Sequence, residues 1–424
     1  MPSLDWIGKQ AVRNHHREVP YRLLKCDKAL SVGDPGSGNL VVQGDNLVAL
    51  KALLPYYAGQ VKCIYIDPPY NTGETKWSYN DAVDSPEIRR WLGRTVGAET
   101  EDLSRHDKWL CMMFPRLELL RQFLRRDGVI FVSIDDTEVG HLRLLCDEVF
   151  GPTNFVANVI WQKKYARQND ATWFSTSHDH ILVYARDRKI WRPNAVARSA
   201  KLLKGYKNPD NDPRELWQSV VYTCAKTKEA RPNLYYPIPY PVGHSKFGKS
   251  VEPNPSRVWY TDYEGHLNDV AENRIWWGEK CDKDKPRLKV FLKEVKQGMV
   301  PATIWLREEA GDNQDAKREA MQLNPDSPFP TPKPVALLSQ ILSIGTDRDS
   351  IVLDSFAGSG TTGHGVLALN KVDGGNRRFI LVEMDEDICR DVTTQRLTRV
   401  LHDDAARQSG GGGGYVASLS SIAV

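Results

Sequence analysis

At 424 residues the chain exceeds the ~250–300 residues at which a single hydrophobic core stops growing, so two domains, or one domain with a large insertion, are expected. Hydrophobic residues at 41% and charged residues at 26% lie near globular averages, which excludes a disordered or fibrous chain. The net charge of +3 is unevenly placed: residues 188–325 carry 25 Lys and Arg against 18 Asp and Glu, the pattern expected where a polyanion is gripped.

No apolar run approaches the ~18 residues of a membrane span, and Asp5 precedes any apolar stretch, which reads against a secretory signal. The seven cysteines are scattered singly, with no C-x-x-C pair. That pattern points to reduced thiols in the cytoplasm and away from a zinc ribbon or redox motif. His178 and His180 would share one face of a strand; a polar strand edge is the expected reading, and no metal ligand set is assigned.

In chain order, Asn39–Gln43 reads as a strand, followed by Asp45 and a helical pattern through Leu47, Leu50, Leu53 and Leu54. Val61–Ile66 is a second strand, ending at Asp67. Leu110, Met113, Leu117, Leu120 and Leu124 repeat at helical spacing and predict a helix over about 108–126. Asp127-Gly128 then turns the chain into the strand Val129–Ile134, and Asp136 or Thr137 can cap a helix running towards Phe150. Phe155–Trp161 and Ile181–Tyr184 look like two further strands. Helices between strands imply parallel pairing and a sheet covered on both faces. From residue 188 the texture changes to proline clusters, paired Trp276-Trp277 and dense charge, which reads as an inserted domain over 188–325. Regular alternation returns with a helix over Val335–Leu342, a strand Ile351–Leu353, a helix after Thr362 and a strand Phe379–Val382. Residues 1–187 and 326–408 are thus expected to be two halves of one catalytic domain. Ser409 and Gly410–Gly414 open a flexible tail, 409–424.

Two motifs carry chemistry. In the first, strand Ile351–Asp354 runs into Ser355-Phe356-Ala357-Gly358-Ser359-Gly360-Thr361-Thr362-Gly363, which satisfies G-x-G-x-x-G from Gly358 onward. Glu383 stands at the end of the next strand, at the spacing where a carboxylate receives ribose hydroxyls. An adenosine-containing cofactor fits, NAD included; a phosphate-binding P-loop does not, because no lysine follows the glycines. The second is Asp67-Pro68-Pro69-Tyr70 at the carboxyl end of a strand, where ligands bind in open α/β sheets. The prolines stiffen the turn and remove a competing N–H beside the Pro68 carbonyl, while Tyr70 supplies an aromatic face.

Asp67–Tyr70 together with Phe356–Gly360 resemble the catalytic and cofactor motifs of the amino-group DNA methyltransferases. Their order, catalytic motif first with an insert between, resembles the β class and, in detail, the modification subunits of type III restriction systems. Asp45-Asn46-Leu47, Pro115-Arg116-Leu117, Phe131–Asp136, Thr331–Pro334 and Asn376–Glu383 are similar to that family too. The resemblance implies a doubly wound, mostly parallel α/β fold with a seven-stranded sheet, S-adenosyl-L-methionine as cofactor, and an inserted target recognition domain over 188–325. It implies double-stranded DNA as partner, admits a homodimer and a restriction subunit, and points to a prokaryotic or phage-like cytoplasm. By the same resemblance Gly358 and Gly360 face the methionine moiety, Glu383 the ribose and Asp45 the adenine, with Lys333 near the methionine end. Asp354, Phe356, Ala357 and Thr361 complete the cofactor set, which Asp67 joins.

The mechanism implied is site-specific adenine N6 methylation. Asp67 and the Pro68 carbonyl each accept one hydrogen of an exocyclic amino group, so that its lone pair points at the transferable methyl. The target base flips out of the duplex and stacks on Tyr70. Cytosine N4 is the alternative target within the family. An NAD-dependent oxidoreductase would use the glycines and Glu383 but leave Asp67–Tyr70 idle, and a non-catalytic DNA-binding module would leave both motifs idle.

Overall fold

The structure, a computed structural model, describes residues 4–32, 37–72, 93, 105–166, 172–198, 203–295, 298–325, 329–408 and 419–423. It divides into two units, 1–194 with 301–424, and 195–300.

The first unit is built on one sheet with strands β1 (Lys25–Val32), β2 (Leu40–Gln43), β3 (Val61–Ile66), β4 (Leu124–Ile134), β5 (Phe155–Gln162), β6 (His178–Ala185), β7 (Ile304–Trp305), β8 (Ile351–Asp354), β9 (Arg378–Glu383) and β10 (Leu419–Ala423). Their order is β1-β10-β2-β9-β8-β3-β4-β6-β5-β7. The seven strands from β2 to β5 in that order are the sheet the sequence leads one to expect, and β1, β10 and β7 extend its edges. β2, β9, β8, β3 and β4 are mutually parallel, whereas β6 runs antiparallel to both β4 and β5. β6 follows β5 with no helix among the described residues between them, and it pairs antiparallel as a direct return of the chain allows.

Helices α1 (Asn46–Tyr57), α2 (Arg105–Phe123), α3 (Val139–Phe150), α5 (Val335–Gly345) and α6 (Thr361–Asp373) follow the sequence pattern closely, whereas α4 (Asn313–Leu323) and α7 (Gln395–Gln408) are not among the expected elements. β3, β4, β8 and β9 are buried along nearly their whole length, as strands covered on both faces must be. One core joins Leu47, Leu50 and Leu53 of α1, Leu117 and Leu120 of α2 and Leu142 and Leu145 of α3 to Ile64, Ile130 and Leu353 of the sheet.

Three boundaries differ from the sequence reading. Asp127-Gly128 is no turn: it lies inside β4, where the register against β3 slips between Val61 and Cys63, so the turn signal marks a bulge. The second unit is 195–300, shorter at both ends than 188–325, because 301–325 contribute β7 and α4 to the first unit. Within the expected tail, 419–423 form β10, whose backbone pairs with β1 and β2; residues 409–418 lie outside the described residues.

The second unit is small and irregular. Trp217–Val221, Arg287–Phe291 and Ile275–Trp276 make a three-stranded antiparallel sheet, with one helix over Tyr263–Ala271. Tyr222, Ile238 and Trp259 form its core. It carries 19 Lys and Arg against 13 Asp and Glu, so the basic surplus stays with the trimmed unit.

Candidate active site

β8 pairs with β3 on one side and β9 on the other, so Asp67, Asp354 and Glu383 all stand at the carboxyl ends of adjacent parallel strands. This is where the two motifs meet. An open pocket of about 420 Å³ lies there; Asp67, Pro68, Pro69, Tyr70 and Lys333 line one part, and Asp354, Phe356, Ala357, Gly358 and Thr361 another.

The Asp67 carboxylate is held unevenly. Its Oδ2 accepts from Lys333 Nζ, whereas Oδ1 is buried with no hydrogen-bond partner. Burial pushes its carboxyl above the ordinary range, and the Lys333 ammonium works against that shift. The following turn is anchored from behind: Trp109 Nε1 donates to the Pro69 carbonyl at 2.7 Å. The Tyr70 hydroxyl donates to Asp179 Oδ2 at 3.3 Å, and Lys333 Nζ lies 5.1 Å from the centre of the Tyr70 ring. Asp179 also accepts from Lys163 through Oδ1. Asn71 ends the turn in the left-handed region, φ 59°, fully buried, donating to the Arg105 carbonyl and to Glu138. Glu138 is itself fully buried and takes His106 Nδ1 at 2.7 Å and His141 Nδ1 at 2.8 Å.

The glycine loop opposite is fixed by buried polar groups. Asp354 accepts the Phe356 N–H at 2.9 Å and the Thr362 hydroxyl at 2.5 Å. Gly358 and Gly360 have φ 49° and 74°, where only glycine is unstrained. Gly358 N–H donates to Glu383 Oε2 at 2.8 Å and the Asp385 N–H reaches Glu383 Oε1 at 3.0 Å. Burial raises the carboxyls of Asp354 and Glu383 to about 7 each. Behind the loop the buried Arg396 donates to the Ser359 and Thr361 hydroxyls at 3.2 and 2.9 Å.

Three residues of the expected cofactor set do not line the pocket. Asp45 caps α1, accepting the Val48 N–H at 3.1 Å, and pairs with Arg116 at 3.2 Å. Gly360 caps α6 from the far side of the loop, where an added Cβ would meet Thr393 at 3.1 Å. Glu383 has its oxygens on backbone amides and supports Gly358 from beneath. Sequence reasoning passed over Asp179, Lys163, Trp109 and Phe329, which face or brace the pocket. Asp179 sits between the two histidines that drew attention, and Trp109 reads as one more apolar position of α2. His180 Nε2 lies 2.9 Å from Asp136 Oδ1 and is hydrogen-bonded to Asn158 through Nδ1, so that strand face carries a polar network.

The DNA methylase family profile matches residues 61–394, from β3 to the segment before α7. The type III restriction-modification enzyme StyLTI Mod subunit of Salmonella typhimurium (strain LT2) is 33% identical over 96% of this chain and 62% of its own length. The EcoPI Mod subunit of Escherichia phage P1 is 32% identical over 91% of this chain and 64% of its own. The chain thus spans a little under two thirds of these relatives. The solved cytosine-N4-specific PvuII DNA methyltransferase aligns over 85% of this chain and 91% of its own at 11% identity, with a TM-score of 0.42. With a family match that takes in both motifs and everything between them, this chain belongs to the DNA methylase family.

Proposed function

We propose that the chain transfers a methyl group from S-adenosyl-L-methionine to the N6 amino group of adenine, at a defined sequence of double-stranded DNA, with the target base flipped into the pocket. The observation that carries this reading is the buried Asp67 Oδ1: an acceptor with no donor, at a ligand pocket, whose partner oxygen is already fixed by Lys333. A buried acceptor left unmade costs about 1–3 kcal/mol, and an amino hydrogen of a bound base would satisfy it.

The pocket suits the cofactor. Gly358 carries no Cβ where one would stand 3.2 Å from the Phe329 ring, and Asp354, Phe356, Ala357, Thr361 and Lys333 supply polar and apolar walls. Those residues would hold S-adenosyl-L-methionine, which supplies an electrophilic methyl on a sulfonium. Asp45 and Glu383 would act indirectly, through Arg116 and through Gly358.

The chain's own contribution is positioning and charge. Asp67 Oδ1 and the Pro68 carbonyl accept the two amino hydrogens, drawing the nitrogen towards a pyramidal geometry with its lone pair exposed. Tyr70, tethered through its hydroxyl to Asp179, offers its ring to the flipped base. The Lys333 ammonium favours the charged form of Asp67 and so works against the upward push of burial. Unit 195–300, basic and carrying Trp276-Trp277, Tyr260 and Phe247, is the target recognition domain in this reading, and the partners are DNA, a second copy and a restriction subunit.

Labelled methyl transfer to plasmid DNA followed by base-resolved sequencing tests the proposal. N6-methyladenine at one defined sequence supports it. N4-methylcytosine would move the target to the other amino base, and calorimetry showing NAD bound in preference to S-adenosyl-L-methionine would overturn it.

A further inference from the structure

Between β5 and β6 the chain leaves the sheet in a loop that closes at the pocket rim. The N–H groups of Lys163 and Lys164 both donate to the Ser177 carbonyl, at 2.9 and 3.2 Å, and Lys163, Lys164 and Asp179 all line the pocket. On the loop so closed, Trp173 and Phe174 stand 90% and 93% exposed. Tyr165, at the loop's start, lies beneath the Arg307 guanidinium, 4.1 Å from its ring centre. A single exposed apolar side chain is ordinary on a protein surface. Two consecutive aromatic residues, both almost wholly in water on a loop whose base residues Lys163, Lys164 and Asp179 line the pocket, mark a surface made to be covered. Neither ring contributes to the core, so the fold does not account for them.

We infer that Trp173 and Phe174 form a wedge that enters the DNA stack as the target base leaves it. The inference rests on the base-flipping reading above. Extruding a base opens a flat, apolar gap between its former neighbours, and rigid aromatic rings fill such a gap with little loss of conformational freedom. Lys164, which lines the pocket, supplies a cation suited to the phosphates on either side of that gap. The same loop thus joins the pocket that receives the base to the rings that replace it.

The test uses the full chain, S-adenosyl-L-methionine and a duplex of the sequence that wild-type protein methylates, with 2-aminopurine at the target adenine for the fluorescence and the unsubstituted adenine duplex for the methylation rate. Wild type should give a large fluorescence rise on binding. Trp173→Ala/Phe174→Ala should lower that rise and the methylation rate by about tenfold or more, the scale of one or two lost base–aromatic stacks, while cofactor affinity stays within about twofold. Trp173→Phe should keep most of both signals. A duplex with an abasic site at the target position presents the gap ready-made; wild type should prefer it over the intact duplex, and the double variant should lose that preference. A double variant that flips and methylates like wild type overturns the wedge, and if it instead loses only co-elution with a restriction subunit, the rings are a protein-docking surface. A wild-type chain that methylates no DNA overturns the base-flipping reading itself, and the wedge falls with it.

Discussion

Replacing Gly358 with alanine separates two costs that usually come together. Its φ of 49° lies in the left-handed region, where a side chain costs about 1–2 kcal/mol. Its new Cβ would also lie 3.2 Å from Cζ of Phe329, closer than ordinary contact, so the ring must shift by a few tenths of an ångström. Phe329 lines the pocket, and the shift is felt there. Gly374 is the control: it has φ 68°, nothing within 4 Å of an added Cβ, and a place at the far end of α6. Gly374→Ala should therefore lose only the backbone cost, about 1–2 kcal/mol in urea unfolding, with cofactor affinity unchanged. Gly358→Ala should lose a similar stability and, through overpacking of about 1–3 kcal/mol, roughly 5- to 150-fold in S-adenosyl-L-methionine affinity by calorimetry. Phe329→Leu in the Gly358→Ala background should restore part of that affinity, a coupling that a double-mutant cycle reads directly. If Gly358→Ala bound cofactor as wild type does, the left-handed glycine would be a feature of the turn alone and the pocket assignment would fail.

Asp67→Ala should abolish methyl transfer while cofactor binding stays largely intact; turnover near wild type would sink the amino-acceptor mechanism. Tyr70→Ala should lower turnover by tens of fold, on the scale of roughly 1–3 kcal/mol of stacking, and Tyr70→Trp should keep much of it; equal damage from both would shift the role to the hydroxyl on Asp179. The carboxyls of Asp354 and Glu383 are raised by burial to about 7, so the folded chain holds protons that the unfolded chain has released. Stability from these groups is complete below the ordinary carboxylate range and is lost as pH rises towards 7, so Asp354→Asn should flatten the fall in unfolding free energy between about pH 4 and 7; an unchanged slope refutes the assignment. DNA affinity should fall steeply with salt, and replacing one exposed Lys or Arg of 195–300 that contacts phosphate should reduce the log–log slope by about one; a slope indifferent to every such change would remove the unit from the DNA contact.

Most of the first unit was legible because its strands are continuous apolar runs and its helices repeat at 3–4 spacing. Those two signals report burial, and burial dominates where a sheet is covered on both faces. The reading slipped where local chemistry serves a different end. Asp127-Gly128 has the composition of a turn, yet the backbone stays in β4 and absorbs the pair as a bulge. The boundary near 188 followed texture, but β7 at Ile304–Trp305 is a two-residue edge strand too short to leave a periodic trace, so 301–325 were assigned to the wrong unit. The motifs themselves were plain, since glycine and proline are punctuation that chain geometry demands. The braces were not. Asp179, Trp109 and Glu138 come from three separate elements, and only the folded sheet brings them to the turn at 67–71.

Those braces bear on how the turn would serve the proposed transfer. An acceptor that must be aimed at the moment of reaction loses much of its advantage to reorganisation; one already aimed does not. Asn71 holds a left-handed conformation that an asparagine adopts at some cost, and such strain persists only where the surroundings over-determine it. Here they do. Glu138, fully buried, is served by Asn71 and by two imidazoles, so its carboxylate is fixed before it fixes anything else. Trp109 claims the Pro69 carbonyl. Lys333 claims one oxygen of Asp67 and leaves the other bare. Lys333 and Trp109 thus occupy two polar groups of the turn, and the Asp67 oxygen left over is the acceptor that the proposed mechanism assigns to the amino nitrogen.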